Sequence, residues 1–115
     1  MVFILALDLS DVDYYGHIPE LPHETCRKAE AFELDPSDWL LLDEDFIDPI
    51  NALCGTLLDN GDVDYFNEAQ CALSSNWLGI RLGQTLDTRL AVLYTKLKEF
   101  SDRAILLGTG VVVEL

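Results

Sequence analysis

Basic side chains are scarce in this chain and nearly missing from its first two-thirds. Seven Lys and Arg stand against 21 Asp and Glu, a net charge of −14. Residues 1–80 hold 17 acids and two bases, Arg27 and Lys28, a net of −15, whereas residues 81–115 hold four acids and five bases, a net of +1. Such a shortage excludes direct binding to a nucleic-acid backbone, which needs Lys and Arg to displace counterions. It argues equally against anionic membrane surfaces. Cysteine is limited to Cys26, Cys54 and Cys71. An odd number at wide spacing suits neither a disulfide framework nor a zinc knuckle, so reduced thiols in a cytoplasmic protein are expected, all three acting as small buried hydrophobes. Long hydrophobic runs are missing too. The stretch MVFILALD is too short for a membrane span or a signal-peptide core and has no positive charge before it, so it reads as a buried strand.

Catalytic motifs are also lacking. HETCR, residues 23–27, begins like the zinc-protease pattern HExxH, but Arg27 stands where the second histidine ligand belongs. A Cys26–His23 nucleophile pair lacks an orienting group and an oxyanion site. No serine sits in a GxSxG context, and the GTG at 108–110 has no lysine after it. Nothing in the sequence calls for a cofactor, and the chain does not read as an enzyme.

What the chain does have is apolar payload. Half of its 115 residues are hydrophobic, enough for one core in one domain spanning 1–115. Residues 2–9 form a near-continuous apolar run and predict a central strand. Residues 10–22, punctuated by Gly16, Pro19 and Pro22, predict a loop. A helix is expected from His23 to about Leu34, with Glu24 and Lys28 as an i,i+4 pair. Asp35-Pro36 and Asp48-Pro49 each look like a cap followed by a first-turn proline, predicting helices over 36–42 and 49–58, the second ended by Asn60-Gly61. Asp62 or Asp64 would cap a further helix to about Leu78. The last helix is the clearest, because Leu86, Leu90, Leu93, Leu97, Phe100 and Ala104 recur at helical spacing. Two short strands around Gly-Thr-Gly complete the reading. The expected fold is α+β: a small, mostly antiparallel sheet made by the N-terminal strand and a C-terminal hairpin, packed against four or five helices.

The acids fall into clusters. DNGDVDYFNE, residues 59–68, brings Asp59, Asp62, Asp64, Tyr65 and Glu68 together; LLDEDFID brings Asp43, Glu44, Asp45 and Asp48; and Asp11, Asp13, Tyr14 and Tyr15 form a third group. Aligning Gly61 with the sixth position of an EF-hand loop places Leu58 at a ligand position and puts Glu68 one place beyond the required glutamate, so no metal site is expected. Carboxylate-pair catalysis would need two carboxyls in different environments, whereas a dense run reads as solvated surface. Trp39 and Phe66 are expected in the core. Tyr14, Tyr15 and Tyr65, with charged neighbours, are expected at an interface. Together these features predict a protein that binds a basic protein partner, with acids steering the encounter and aromatics holding it. Toxin-immunity inhibitors of nucleases and nucleic-acid mimics share this size and composition, although no motif identifies a family. Alternative readings are a small metal-dependent or carboxylate-based enzyme and an interaction subunit of a larger assembly.

Overall fold

The computed structural model describes all of residues 1–115. Its centre is a four-stranded antiparallel sheet in the order β4 (Ala29–Glu33), β1 (Val2–Ala6), β6 (Val111–Glu114) and β5 (Val63–Phe66). The middle strands are β1 (Val2–Ala6) and β6 (Val111–Glu114), and their buried residues make the apolar runs intelligible: both are covered on two faces. Phe3, Leu5, Val111 and Val113 turn toward the helices and join the main core, whereas Val2, Ile4 and Val112 turn the other way into a smaller cluster with Ala29. A two-stranded hairpin, β2 (Tyr14–Tyr15) with β3 (Ile18–Pro19), turns at Gly16 (φ 62°), and Ile18 packs on that second cluster. The segment expected as a loop therefore carries a small hairpin over the outer sheet face.

The helix expected over 23–34 is instead an edge strand, β4 (Ala29–Glu33), paired with β1 from Val2↔Glu33 to Ala6↔Ala29. A helix here would bury only a thin stripe, whereas the open edge of β1 offers backbone partners along five residues. Ala29 and Ala31 reach the outer cluster, and Phe32 stacks on Phe3 with ring centroids 6.3 Å apart.

Helices α1 (Asp38–Asp45) and α2 (Ile47–Cys54) follow almost without a break. Neither Asp35 nor Asp48 caps them: Asp35 donates its own N–H to the Asp38 carboxylate at 2.8 Å, and Asp48 lies inside the first turn of α2. α2 ends at Gly55, whose left-handed φ of 67° closes the helix, and not at Asn60-Gly61.

Asp62 and Asp64 start no helix either. They flank Val63 at the start of strand β5 (Val63–Phe66), which pairs with β6, and α3 (Glu68–Leu82) begins only after Asn67. There Asn67 and Gln70 form a reciprocal capping box. α4 (Thr88–Leu107) is capped by Asp87 and buries Leu90, Leu93, Leu97, Phe100 and Ala104 as expected. No strand precedes Gly-Thr-Gly, because α4 runs through Leu107 and Gly108 (φ 68°) caps it. Thr109 then donates its hydroxyl to the Ala6 carbonyl at 2.6 Å, which leads the chain into β6. Gly110 is pressed against β5, where an added Cβ would fall 2.2 Å from the Phe66 carbonyl oxygen. The architecture is thus α+β, with four helices on one face of an antiparallel sheet, but without the C-terminal hairpin.

Candidate functional site

The five bases of residues 81–115 are all committed to ion pairs within the molecule. Arg81 pairs with Asp45 at 2.7 Å, Arg89 with Asp38 at 2.8 Å, Lys96 with Glu99 at 3.0 Å, Lys98 with Asp102 at 2.8 Å, and Arg103 with Glu30 at 2.8 Å. Three of these pairs carry acids of α1 or β4 onto α3 or α4, so they tie the acidic part of the chain to its basic end. Asp38 is buried, and the Arg89 guanidinium holds its carboxyl below the usual aspartate range. Arg103 does the same for Glu30. Asp45, expected on an exposed acidic face, is half-buried: it accepts from Arg81 and from the Tyr94 hydroxyl at 2.6 Å. Burial and this bond push the Tyr94 phenol strongly upward, in an aromatic group with Phe46 and Trp77. Asp45 is therefore a structural residue.

Four of the acids left without a basic partner share one cleft. Asp43 on α1, Asp48 in the first turn of α2, and Asp59 and Asp62 in the loop before β5 line a cleft of about 370 Å³. None of the four has a basic partner within ion-pair distance. Glu44 is exposed nearby on α1, likewise unpaired. Two sequence clusters meet here because Asn51 pins the loop to α2. Its Nδ2 donates to the Leu58 carbonyl at 2.9 Å, and its Oδ1 accepts from the Leu58 N–H and the Thr56 hydroxyl, both at 2.8 Å. Leu58 is buried beneath, and Leu57 projects into solvent, 84% exposed, at the cleft wall. Asn51 carried no signal in the sequence beyond being a polar residue in a helix.

The hairpin group is joined to this cleft by a histidine. His17, at the hairpin turn, lies 2.9 Å from Asp64, whose carboxylate also accepts from the Leu57 N–H at 3.4 Å and the Tyr65 N–H at 2.8 Å. Asp64 is thus held on both sides and is not a free acid. Tyr14 and Tyr15 are exposed on the hairpin, beside exposed Asp11 and Asp13. Tyr65 is not exposed as expected. It packs against the outer cluster beside Val112, and burial pushes its phenol up to about 12. Glu68 sits at the start of α3 beside a separate hollow with Ala69, Ala72 and Ile105.

Cysteine chemistry offers no second site. Cys54 and Cys71 are buried, and burial raises the Cys71 thiol to about 12, while Cys26, expected inside, is exposed. His23 is not in a helix; its Nε2 lies 2.9 Å from Glu114. No three His, Cys, Asp or Glu side chains are grouped to hold a metal ion. No helix is long and apolar enough to cross a membrane. Compared with protein-family models, curated proteins and solved structures, the chain matches none.

Proposed function

We propose that this protein binds and neutralises a basic protein partner, most naturally as an immunity-type inhibitor that covers the cationic site of a nuclease or another nucleic-acid-binding toxin. The observation that carries this reading is the cleft of four unpaired carboxylates, Asp43, Asp48, Asp59 and Asp62. All five bases of the second part of the chain are already paired. The unbalanced negative charge attracts a cationic surface, and the cleft offers it four carboxylates together. Leu57 at the cleft wall and the exposed Tyr14 and Tyr15 of the hairpin supply apolar and aromatic contact, and slow the departure of a partner once it has docked.

The test is capture from the source cell with the wild-type protein and with a variant carrying Asp43, Asp48, Asp59 and Asp62 as Asn. The expected partner is basic, is retained by the wild type alone, and associates more slowly as salt rises past about 0.15 M. Equal capture by both proteins, or association indifferent to salt, would refute the reading. A second reading, an interaction subunit of a larger assembly, is favoured by the exposed apolar end of α4, where Leu106 and Leu107 face solvent. Self-association that survives high salt would select it.

A further inference from the structure

Between the hairpin and the outer face of the sheet lies a hollow of about 270 Å³. Its inner wall is aliphatic, with Ile4, Ile18 and Val112, and Tyr15, Glu20 and Glu114 stand around it. Building on the reading that the partner is basic, we propose that this hollow receives one arginine side chain of that partner.

Three features specify arginine. An aliphatic wall suits the methylene stem of a long basic side chain, whose head stays near water. Glu20 and Glu114 are both lining residues of the hollow, so it offers a cationic head carboxylates as well as an apolar wall. His23 engages only Oε2 of Glu114, at 2.9 Å, and Glu20 has no ion-pair partner. The Glu20 carboxylate, free of any ion pair, matches the planar fork of a guanidinium, whose two parallel N–H groups bond the two oxygens of one carboxylate. The Tyr15 ring, 78% exposed, offers a face on which a guanidinium stacks while keeping those bonds; an ammonium is a compact point charge and gains less from this arrangement. No Lys or Arg of the chain lines the hollow.

The hollow is also placed to work with the cleft. Val63 lines the hollow, and its neighbour Asp62 lines the cleft. The His17–Asp64 contact fixes the hairpin at the same edge. The cleft and the hollow therefore adjoin the start of the same edge strand, β5.

Titration of ¹⁵N-labelled protein with N-acetyl-arginine amide, followed by amide chemical shifts, tests the assignment. N-acetyl-lysine amide and N-acetyl-citrulline amide serve as comparisons, the latter being a neutral analogue of similar shape. The expected shifts centre on Ile18, Val63, Val112 and Glu114, with citrulline roughly tenfold weaker for loss of charge-assisted bonds. Tyr15→Ala and Glu114→Gln are each expected to weaken arginine several-fold. Glu20→Gln, at an exposed position, repeats the charge test without touching the sheet. Equal binding of lysine and arginine overturns the assignment, as does insensitivity to all three substitutions. Arginine shifts confined to residues 43–62 overturn the hollow but leave a basic partner standing. No response anywhere to a tri-arginine peptide at low salt removes both.

Discussion

Asp38 and Asp43 belong to one helix and do opposite things. Asp38 is buried, accepts two bonds from Arg89 at 2.9 and 2.8 Å, and accepts the Asp35 N–H. Asp43 is exposed and unpaired. Removing one partner of a buried pair strands the other, but Arg89 is 42% exposed and recovers water. Asp38→Asn is therefore expected to cost about 2 kcal/mol, toward the low end for such pairs. Denaturant titration across pH gives the sharper check. The folded carboxyl titrates below its ordinary 3.8, so its contribution is complete above that value and disappears as pH falls through the lowered one. The difference between wild type and Asp38→Asn should thus be constant near neutrality and shrink below about pH 4. A difference that persists undiminished at lower pH would show that the charge is not the source. Asp48→Asn, by contrast, removes no cap and should change stability by no more than about 0.5 kcal/mol. The same denaturant curves at neutral pH would show it.

At the scale of elements, Asn51 decides where the acidic loop sits. Its three bonds to Thr56 and Leu58 are partly buried. Asn51→Ala leaves the Leu58 N–H and carbonyl without these partners and is expected to destabilise by about 2 kcal/mol. It should also slow association with a basic partner, because Asp59 and Asp62 no longer stay opposite Asp43 and Asp48. If stability falls but association is unchanged, the loop's position does not matter for steering. The α3 capping box offers a control of similar kind, remote in role. Asn67→Ala is expected to cost about 1 kcal/mol, lowering the melting temperature by roughly 4 °C for a domain of this size. Association should not change.

Across the whole molecule, the unpaired acids repel one another in the folded state. Converting Asp43, Asp48, Asp59 and Asp62 to Asn is expected to raise the melting temperature at low ionic strength. The gain should fade as salt screens the wild-type repulsion within about 10 Å at 0.1 M. A lower melting temperature in the variant would mean these carboxylates support the fold, which would weaken the claim that they are kept for recognition. The same variant is expected to lose association rate, so stability and binding should move in opposite directions.

Much of this was written in local chemistry. The Leu90-to-Ala104 stripe marks α4, with Leu86 falling just before its Asp87 cap, and the apolar run at residues 2–9 contains the buried strand β1, which ends at Ala6. Charge placement along the chain sets a strongly acidic part, residues 1–80, apart from a nearly balanced end. The Asn67–Gln70 box carries the true helix start, whereas the more conspicuous Asp62 and Asp64 point to a cap three to five residues too early. Residues 29–33 depart from expectation for a different reason: alanine, glutamate and phenylalanine suit a helix, and only the open edge of β1 makes them a strand. Periodicity reports what a segment can bury, and says little about which backbone edge will be waiting for it.

The site divides in the same way. Composition and spacing alone determined that the chain is acidic, is half hydrophobic and lacks a phosphate-binding or metal-ligating pattern, because these properties follow from residue type and short-range order. Which carboxylates are free was decided only by the tertiary structure. Asp38 and Asp45 were withdrawn into pairs with Arg89 and Arg81, and Asp43, Asp48, Asp59 and Asp62 were left to share a cleft. Ion pairing acts over a few ångströms of space, and the partners here are 36 and 51 residues apart in the chain, so folding alone could choose between them.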